Sequence, residues 1–330
     1  MKLLGALVFV AGLAILVYLV VYFGMAPIAS AWEALGFGGL AIVVAAHLPV
    51  AAFLGLAWWS LGRGLVGAAP EKFIWARLVR DGAAEVLPFS QVGGYMFGAR
   101  ALMVSGVSGF FAAISTVADL VLEMVAKLPY LLIGLALLAF VKPQSGYFAP
   151  ILIGVAISVG LLFFAAIFRN RSRSALEWLA MRMAQRWPVL HLGDAEETRA
   201  TISGVLAKDG RSAAGFALHF IAWALGALEA LIAFHLMGAK ITLAEATIID
   251  SLFTGLRTFA FFVPGAVGVQ EVAYVALCAL FGISPGFALA FSLVRRARDF
   301  LIGVPCLFIW QIVEGRRVLF SRTTVAATDD

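Results

Sequence analysis

Apolar residues along this chain fall in long runs that polar residues interrupt only at intervals, without the strict alternation of half-buried strands. A helix needs about 20 mostly apolar residues to cross the hydrocarbon of a bilayer. Runs approaching or exceeding that length cover residues 3–23, 37–61, 107–140, 149–168, 213–237, 243–262, 267–281 and 285–313. The pattern predicts an all-α polytopic bundle of about eight spans. The basic start and the triplet Ala29-Ser30-Ala31 imitate a signal peptide, but the first run is longer than a signal core, so an uncleaved first span is expected.

Two charged stretches separate the runs. Residues 71–85 mix Phe73, Ile74, Ala76, Leu78 and Val79 with charges at near-helical spacing, which predicts a helix lying at the membrane interface. Residues 169–208 place Leu176, Leu179, Met183, Trp187 and Leu190 among basic residues and read as a similar linker on the inner leaflet. The chain is then one membrane domain: a half over residues 1–168, a linker over 169–212, a second half over 213–313 and a short tail over 314–330.

Composition narrows the class. Of 330 residues 63% are hydrophobic and 13% charged, and the mean hydropathy is +1.00. A soluble domain carries about a quarter charged residues, so a soluble enzyme or a nucleic-acid binder is excluded. The net charge of +5 reflects basic loops beside anionic lipid. With the N-terminus inside, 16 of the 24 basic residues are cytoplasmic and only Lys142 and Lys240 are outside. That split predicts both termini in the cytoplasm.

Cys278 and Cys306 sit in apolar runs without C-x-x-C spacing, and four scattered histidines form no ligand cluster. No metal and no cofactor are expected. The sharpest local feature occurs twice. Leu87-Pro88-Phe89-Ser90-Gln91-Val92-Gly93-Gly94 and Val263-Pro264-Gly265-Ala266-Val267-Gly268-Val269-Gln270-Glu271 each pass from apolar-Pro through Val-Gly into a new apolar helix. Proline removes a backbone donor and glycine loosens the helix, so each copy predicts an unwound turn. Such backbone is tolerated at membrane depth only when buried in protein or lining a cavity. Paired interruptions in two halves point to a transporter-like site. Eight full spans make the repeat parallel; an inverted repeat requires one span to be re-entrant, and both remain open here.

Charges inside the apolar runs are the second signal. Asp119, Glu123 and Lys127 lie one turn apart on one helix face, and Asp250 and Arg257 share another. Arg295, Arg298 and Asp299 share a face, with Arg295 and Asp299 a natural ion pair, while Arg296 points away. A charge at the bilayer centre costs about 2.5–3.5 kcal/mol on insertion scales, so such residues pair or face a polar cavity. Glu229 is isolated and reads as packing. Ser90 and Ser108 lack a partner histidine and acid, and no nucleotide loop or metalloprotease motif occurs, so no catalytic residue is assigned.

At these motifs the chain resembles the flippase-type membrane domain of lysylphosphatidylglycerol synthetases. The resemblance is carried by the region Leu87–Leu102, the helix with Asp119 and Glu123, and above all Val263–Glu271. The run Val86–Gly94 followed by Gly98-Ala99-Arg100-Ala101-Leu102 is similar to the hopanoid-biosynthesis-associated branch. The resemblance implies a helical bundle in a bacterial inner membrane that moves or handles a lipid. It carries the family's polar motif residues onto Arg100, Glu123, Arg257 and Glu271. Many relatives place an acid where this chain has Tyr95. Those synthetases add a soluble aminoacyl-transferase domain, and with only about 17 residues after Val313 that activity is not expected of this chain.

The combined expectation is a lipid flippase whose partners are a hopanoid or phospholipid and proteins of a hopanoid pathway. Its site comprises Pro88, Gly93, Gly94, Arg100, Asp119, Glu123, Asp250, Arg257, Pro264, Gly265, Gly268, Glu271, Arg295, Arg298 and Asp299. The arginines would hold a polar or anionic head group and the acids would orient them or relay protons. A lipid-modifying membrane enzyme and a non-catalytic lipid-presenting assembly factor are the rival readings.

Overall fold

The computed structural model describes residues 2–64, 67–87, 90–143, 153–154, 156–157, 159–160, 204–205, 210–260 and 263–326. Its elements are α1 (Lys2–Phe23), α2 (Ala26–Gly62), α3 (Pro70–Val86), α4 (Ser90–Val104), α5 (Gly109–Val141), α6 (Arg211–Leu236), α7 (Leu243–Phe259), a 3-10 turn (Pro264–Ala266), α8 (Val269–Ala279) and α9 (Pro285–Ala326). All of them are helical, as the hydropathy pattern predicts. The expected span at 149–168 and the linker at 169–208 lie almost wholly outside the described residues.

Local sequence sets the boundaries. Pro70 starts α3 with a fixed φ and no donor to lose, and Ser108 caps α5 by accepting from the Phe111 N–H at 3.3 Å. Thr242 and Glu245 form a reciprocal capping box on α7, with the Glu245 N–H on Thr242 Oγ1 at 3.2 Å and the Thr242 N–H on Glu245 Oε2 at 2.7 Å.

Among the described residues, three helices are long and apolar enough to cross a membrane: α2, α5 and α6. The runs at 243–262 and 267–281 are not separate spans. They are α7 and α8, of 17 and 11 residues, joined by the Pro264–Ala266 turn. At 1.5 Å per residue these arms reach roughly 25 and 17 Å, short of the bilayer's hydrocarbon. The tail predicted from residue 314 is instead the continuation of α9 to Ala326, and α6 begins at Arg211, inside the expected linker.

The interfacial helix expected at 71–85 is α3, and it lies inside the bundle. Phe73, Ala76, Val79, Arg77 and Arg80 are all buried. Its small residues explain why. A β-carbon on Gly82 would sit 2.8 Å from the Gly303 Cα of α9, and one on Gly94 of α4 would sit 2.6 Å from the Arg80 carbonyl oxygen. Backbones approach this closely only where side chains are absent. Thus α3 and α4 form a tight helical hairpin with its tip near Leu87.

Helix directions follow from the pairings. His47 of α2 meets Glu229 of α6, and Ser60 of α2 meets the Arg211 carbonyl, so these helices are antiparallel. Asp119 of α5 meets His219 of α6 and Lys127 lies over the Trp223 ring, so α5 and α6 run parallel. Gly134 and Gly255 pack against Ser251 and Leu131, which makes α7 antiparallel to α5. Hairpin α3–α4 therefore enters from one end of the bundle and hairpin α7–α8 from the other. The sequences α2–hairpin–α5 and α6–hairpin–α9 form an inverted repeat, which settles the alternative the motifs left open.

Two apolar clusters flank the hairpins. One, around Phe234, Phe291, Tyr274 and Phe253, joins α2, α6, α7, α8 and α9; Phe234 stacks on Phe291 at 4.1 Å. The other, around Trp58, Phe73, Leu102 and Phe111, joins α2 to α3, α4 and α5. Large apolar side chains such as Phe37, Phe140 and Phe308 are exposed on the outside, the pattern of a surface solvated by lipid tails.

Candidate functional site

The two hairpin tips meet at the centre of the bundle. Arg257, at the end of α7, pairs with Glu85, near the end of α3. A β-carbon on Gly265 of the second tip would stand 3.3 Å from the Glu85 carbonyl oxygen. The second tip itself is a strained turn: Gly265 and Gly268 have φ of 57° and 81°, and Ala266 has φ of 47°. Glu271 holds it by accepting from the Gly268 N–H at 2.8 Å and from Ser292 Oγ at 2.9 Å. Arg296 donates to Glu271 Oε1 at 2.7 Å and to the Gly265 carbonyl at 2.9 Å. Contrary to expectation, Arg296 does not point away from the chemistry; it splints the broken turn.

In the first half, Arg80 donates to Asp119 Oδ2 at 2.7 Å and to Glu123 Oε2 at 2.6 Å, and Arg77 donates to Glu123 Oε2 at 3.0 Å and Asp81 Oδ2 at 2.7 Å. Lys127 adds a contact to Glu123 Oε1 at 3.1 Å, and His219 lies 3.0 Å from Asp119 Oδ1. Tyr95 places its ring 4.0 Å from the Arg80 guanidinium carbon. The Arg80 cation thus meets a π-face in addition to its two carboxylates.

In the second half, Arg295 donates to Asp250 Oδ1 at 2.6 Å and to the Tyr274 hydroxyl at 2.8 Å, while Tyr130 donates to Asp250 Oδ2 at 2.9 Å. The pair expected between Arg295 and Asp299 is absent from the contacts Arg295 makes; Asp299 accepts from Arg298 Nη2 at 2.6 Å. Arg298 also pairs with Glu229, whose other oxygen is 2.8 Å from His47 Nδ1. Glu229 is therefore part of the ionic site rather than packing.

The inverted repeat carries these charges with opposite sign. Arg77 and Asp250 each lie seven residues after the start of α3 and α7, and Asp119 and Arg295 each lie ten after the start of α5 and α9. Arg77 faces Asp119 at 3.8 Å, and Asp250 faces Arg295 at 2.6 Å. The halves share a scaffold and differ in which arm holds the cation.

A cavity of about 160 Å³ lies between the tips. Of the expected site residues, Glu123, Asp250, Arg257, Arg295, Arg298 and Asp299 line it. Asp119 and Glu271 stand behind it, fully buried, and orient residues around it. Pro264, Gly265 and Gly268 build the second tip, Gly94 lets α4 close on α3, and Gly93 is half-buried beside it. Pro88 lies outside the described residues. Arg100 is not in the cavity: it pairs with Glu314 of α9, partly exposed, at the end of the bundle where α4 finishes.

Sequence reasoning missed Arg77, Glu85, His47 and Glu229, which also line the cavity. The charge count places the basic residues from Arg63 to Arg80, Arg77 and Arg80 among them, in the cytoplasmic share. The signal against that assignment was present in Gly82-Ala83-Ala84, a run of small residues suited to close helix packing rather than to an interface.

Opposed helical hairpins around a charged cavity define a helical membrane protein. The family model for the lysylphosphatidylglycerol synthase TM region matches residues 7–306, and the chain belongs to that family. No curated protein and no solved structure matches the chain.

Proposed function

We propose that this protein is a lipid flippase of the bacterial inner membrane, with both termini in the cytoplasm, and that its cargo is a hopanoid or a hopanoid-bearing lipid. The observation that carries the reading is the cavity between the two hairpin tips, lined by Arg257, Arg295, Arg298, Glu123 and Asp250. Charges at that depth are costly to insert, and a pathway for a polar head group is the use that accounts for so many together. The head group passes between the tips while its apolar tail follows the lipid-facing helix surfaces. Opposed hairpins supply two similar half-gates, one per leaflet. The hopanoid assignment rests on the likeness of Val86–Leu102 to that branch of the family. A gradient, a partner or downhill exchange drives the movement, since the sequence carries no nucleotide loop.

The test is reconstitution in liposomes with a fluorescent lipid in one leaflet. Wild-type protein accelerates its appearance in the other leaflet, and the Arg295→Ala variant, if still folded, does not. Purified protein that moves no labelled lipid under any imposed gradient sinks the reading. The lipid that co-purifies, read by mass spectrometry, tests the cargo: a triterpenoid supports the hopanoid assignment, and bulk phospholipid alone removes it.

A further inference from the structure

Among the described residues, the cavity presents six carboxylates (Asp81, Glu85, Glu123, Glu229, Asp250 and Asp299) against five cations. Each of those cations already has an acid partner. Arg77 and Lys127 hold Glu123 at 3.0 and 3.1 Å, Arg295 holds Asp250 at 2.6 Å, Arg298 holds Asp299 at 2.6 Å, and Arg257 holds Glu85. Taking the translocation reading as its basis, we propose that the cavity admits an uncharged, hydroxyl-bearing head group and excludes an anionic one.

The physical ground is competition. A phosphate or carboxylate brought to an arginine here either displaces the carboxylate that holds it or stands beside that carboxylate, like charge against like, in a wall with more acids than cations. A displaced acid such as Glu123 or Asp250, itself buried, is left without a partner, and an unpaired buried charge is far more costly than one in solution. Hydroxyl groups face no such exchange. Each ionised carboxylate has about four acceptor sites and each guanidinium five donors, and an ion pair leaves some of both unused. Hydroxyls on the cargo can occupy those while the pairs stay intact. Thr254, Thr258 and Gln91, also on the wall, add uncharged donors and acceptors. Arg257 is the weak point of the barrier, because Glu85 is its ion-pair partner and both face the cavity.

The experiment compares fluorescent glucosylceramide, uncharged with free hydroxyls, and fluorescent phosphatidylglycerol in the same proteoliposomes. Wild-type protein is expected to move the glucosylceramide at least ten-fold faster. Glu85→Gln, which leaves Arg257 without its acid, is expected to close that gap several-fold by speeding phosphatidylglycerol. Equal rates in the wild type, or an unchanged ratio in a folded Glu85→Gln variant, overturn the proposal while the flippase reading survives. If neither lipid moves, the flippase reading fails and binding decides the head-group question. Octyl glucoside should then raise the melting temperature and dihexanoyl-phosphatidylglycerol should not; stabilisation by the anionic lipid overturns the proposal.

Discussion

Gly82 of α3 and Gly303 of α9 face each other so closely that a β-carbon on either would lie 2.8 Å from the other's Cα. This contact seats the first hairpin inside the bundle and brings its tip to the second. Alanine at either position must push the helices apart, and overpacking of this kind costs about 1–3 kcal/mol. Gly82→Ala and Gly303→Ala are each expected to lower the melting temperature in detergent, and Gly82→Leu to lower it further. An unchanged melting temperature for Gly82→Leu would mean that α3 is not packed there.

Glu271 balances Arg296 while capping α8. Glu271→Gln can keep the cap but leaves a half-buried guanidinium without its counter-charge. Removing one member of a buried pair costs about 3–5 kcal/mol. Glu271→Gln should therefore destabilise strongly, and the Glu271→Gln/Arg296→Met double variant should recover part of the loss. A double-variant cycle on thermal stability measures the coupling.

Because Asp250 and Arg295 mirror Arg77 and Asp119 with the signs exchanged, the scaffold tolerates either arrangement of charge. Asp250→Arg and Arg295→Asp alone place like charges together and should abolish folding or lipid movement. The combined Asp250→Arg/Arg295→Asp exchange should restore a folded protein. Size-exclusion profiles of the three variants report this directly, and failure of the exchange to improve on either single change would refute the equivalence.

Opposed hairpins make a topological prediction. Cysteines placed at Glu71, in the first turn of the first hairpin, and at Lys240, just before the second, should react with a membrane-impermeant maleimide from opposite faces of oriented vesicles. The proposed orientation makes position 71 the inner one. Labelling of both from the same face would rule out the inverted arrangement.

Much of this was legible along the chain. Asp119, Glu123, Asp250 and Arg257 stand out because a charge within an apolar run is expensive at any depth, and that cost is visible without coordinates. The two Pro/Gly interruptions were equally plain, since each residue acts on its own backbone. Arg77 and Arg80 were hidden for the opposite reason. They lie in a stretch polar enough to pass for a helix at the membrane interface, and what buries them is the fit of Gly82, Gly94 and Gly98 against neighbouring helices.

Sequence by itself determined the class, the helical content, the break points and the cost of the central charges, because these depend on composition and on each residue's own backbone and solvation. Tertiary structure alone decided that α7 and α8 are arms of one hairpin, that the repeat is inverted, and that Arg295 pairs with Asp250 rather than with Asp299. Those outcomes turn on which helix lies beside which. Lipid solvates every apolar face alike, so the hydropathy of a helix does not name its neighbour; close packing of small residues and the pairing of opposite charges do.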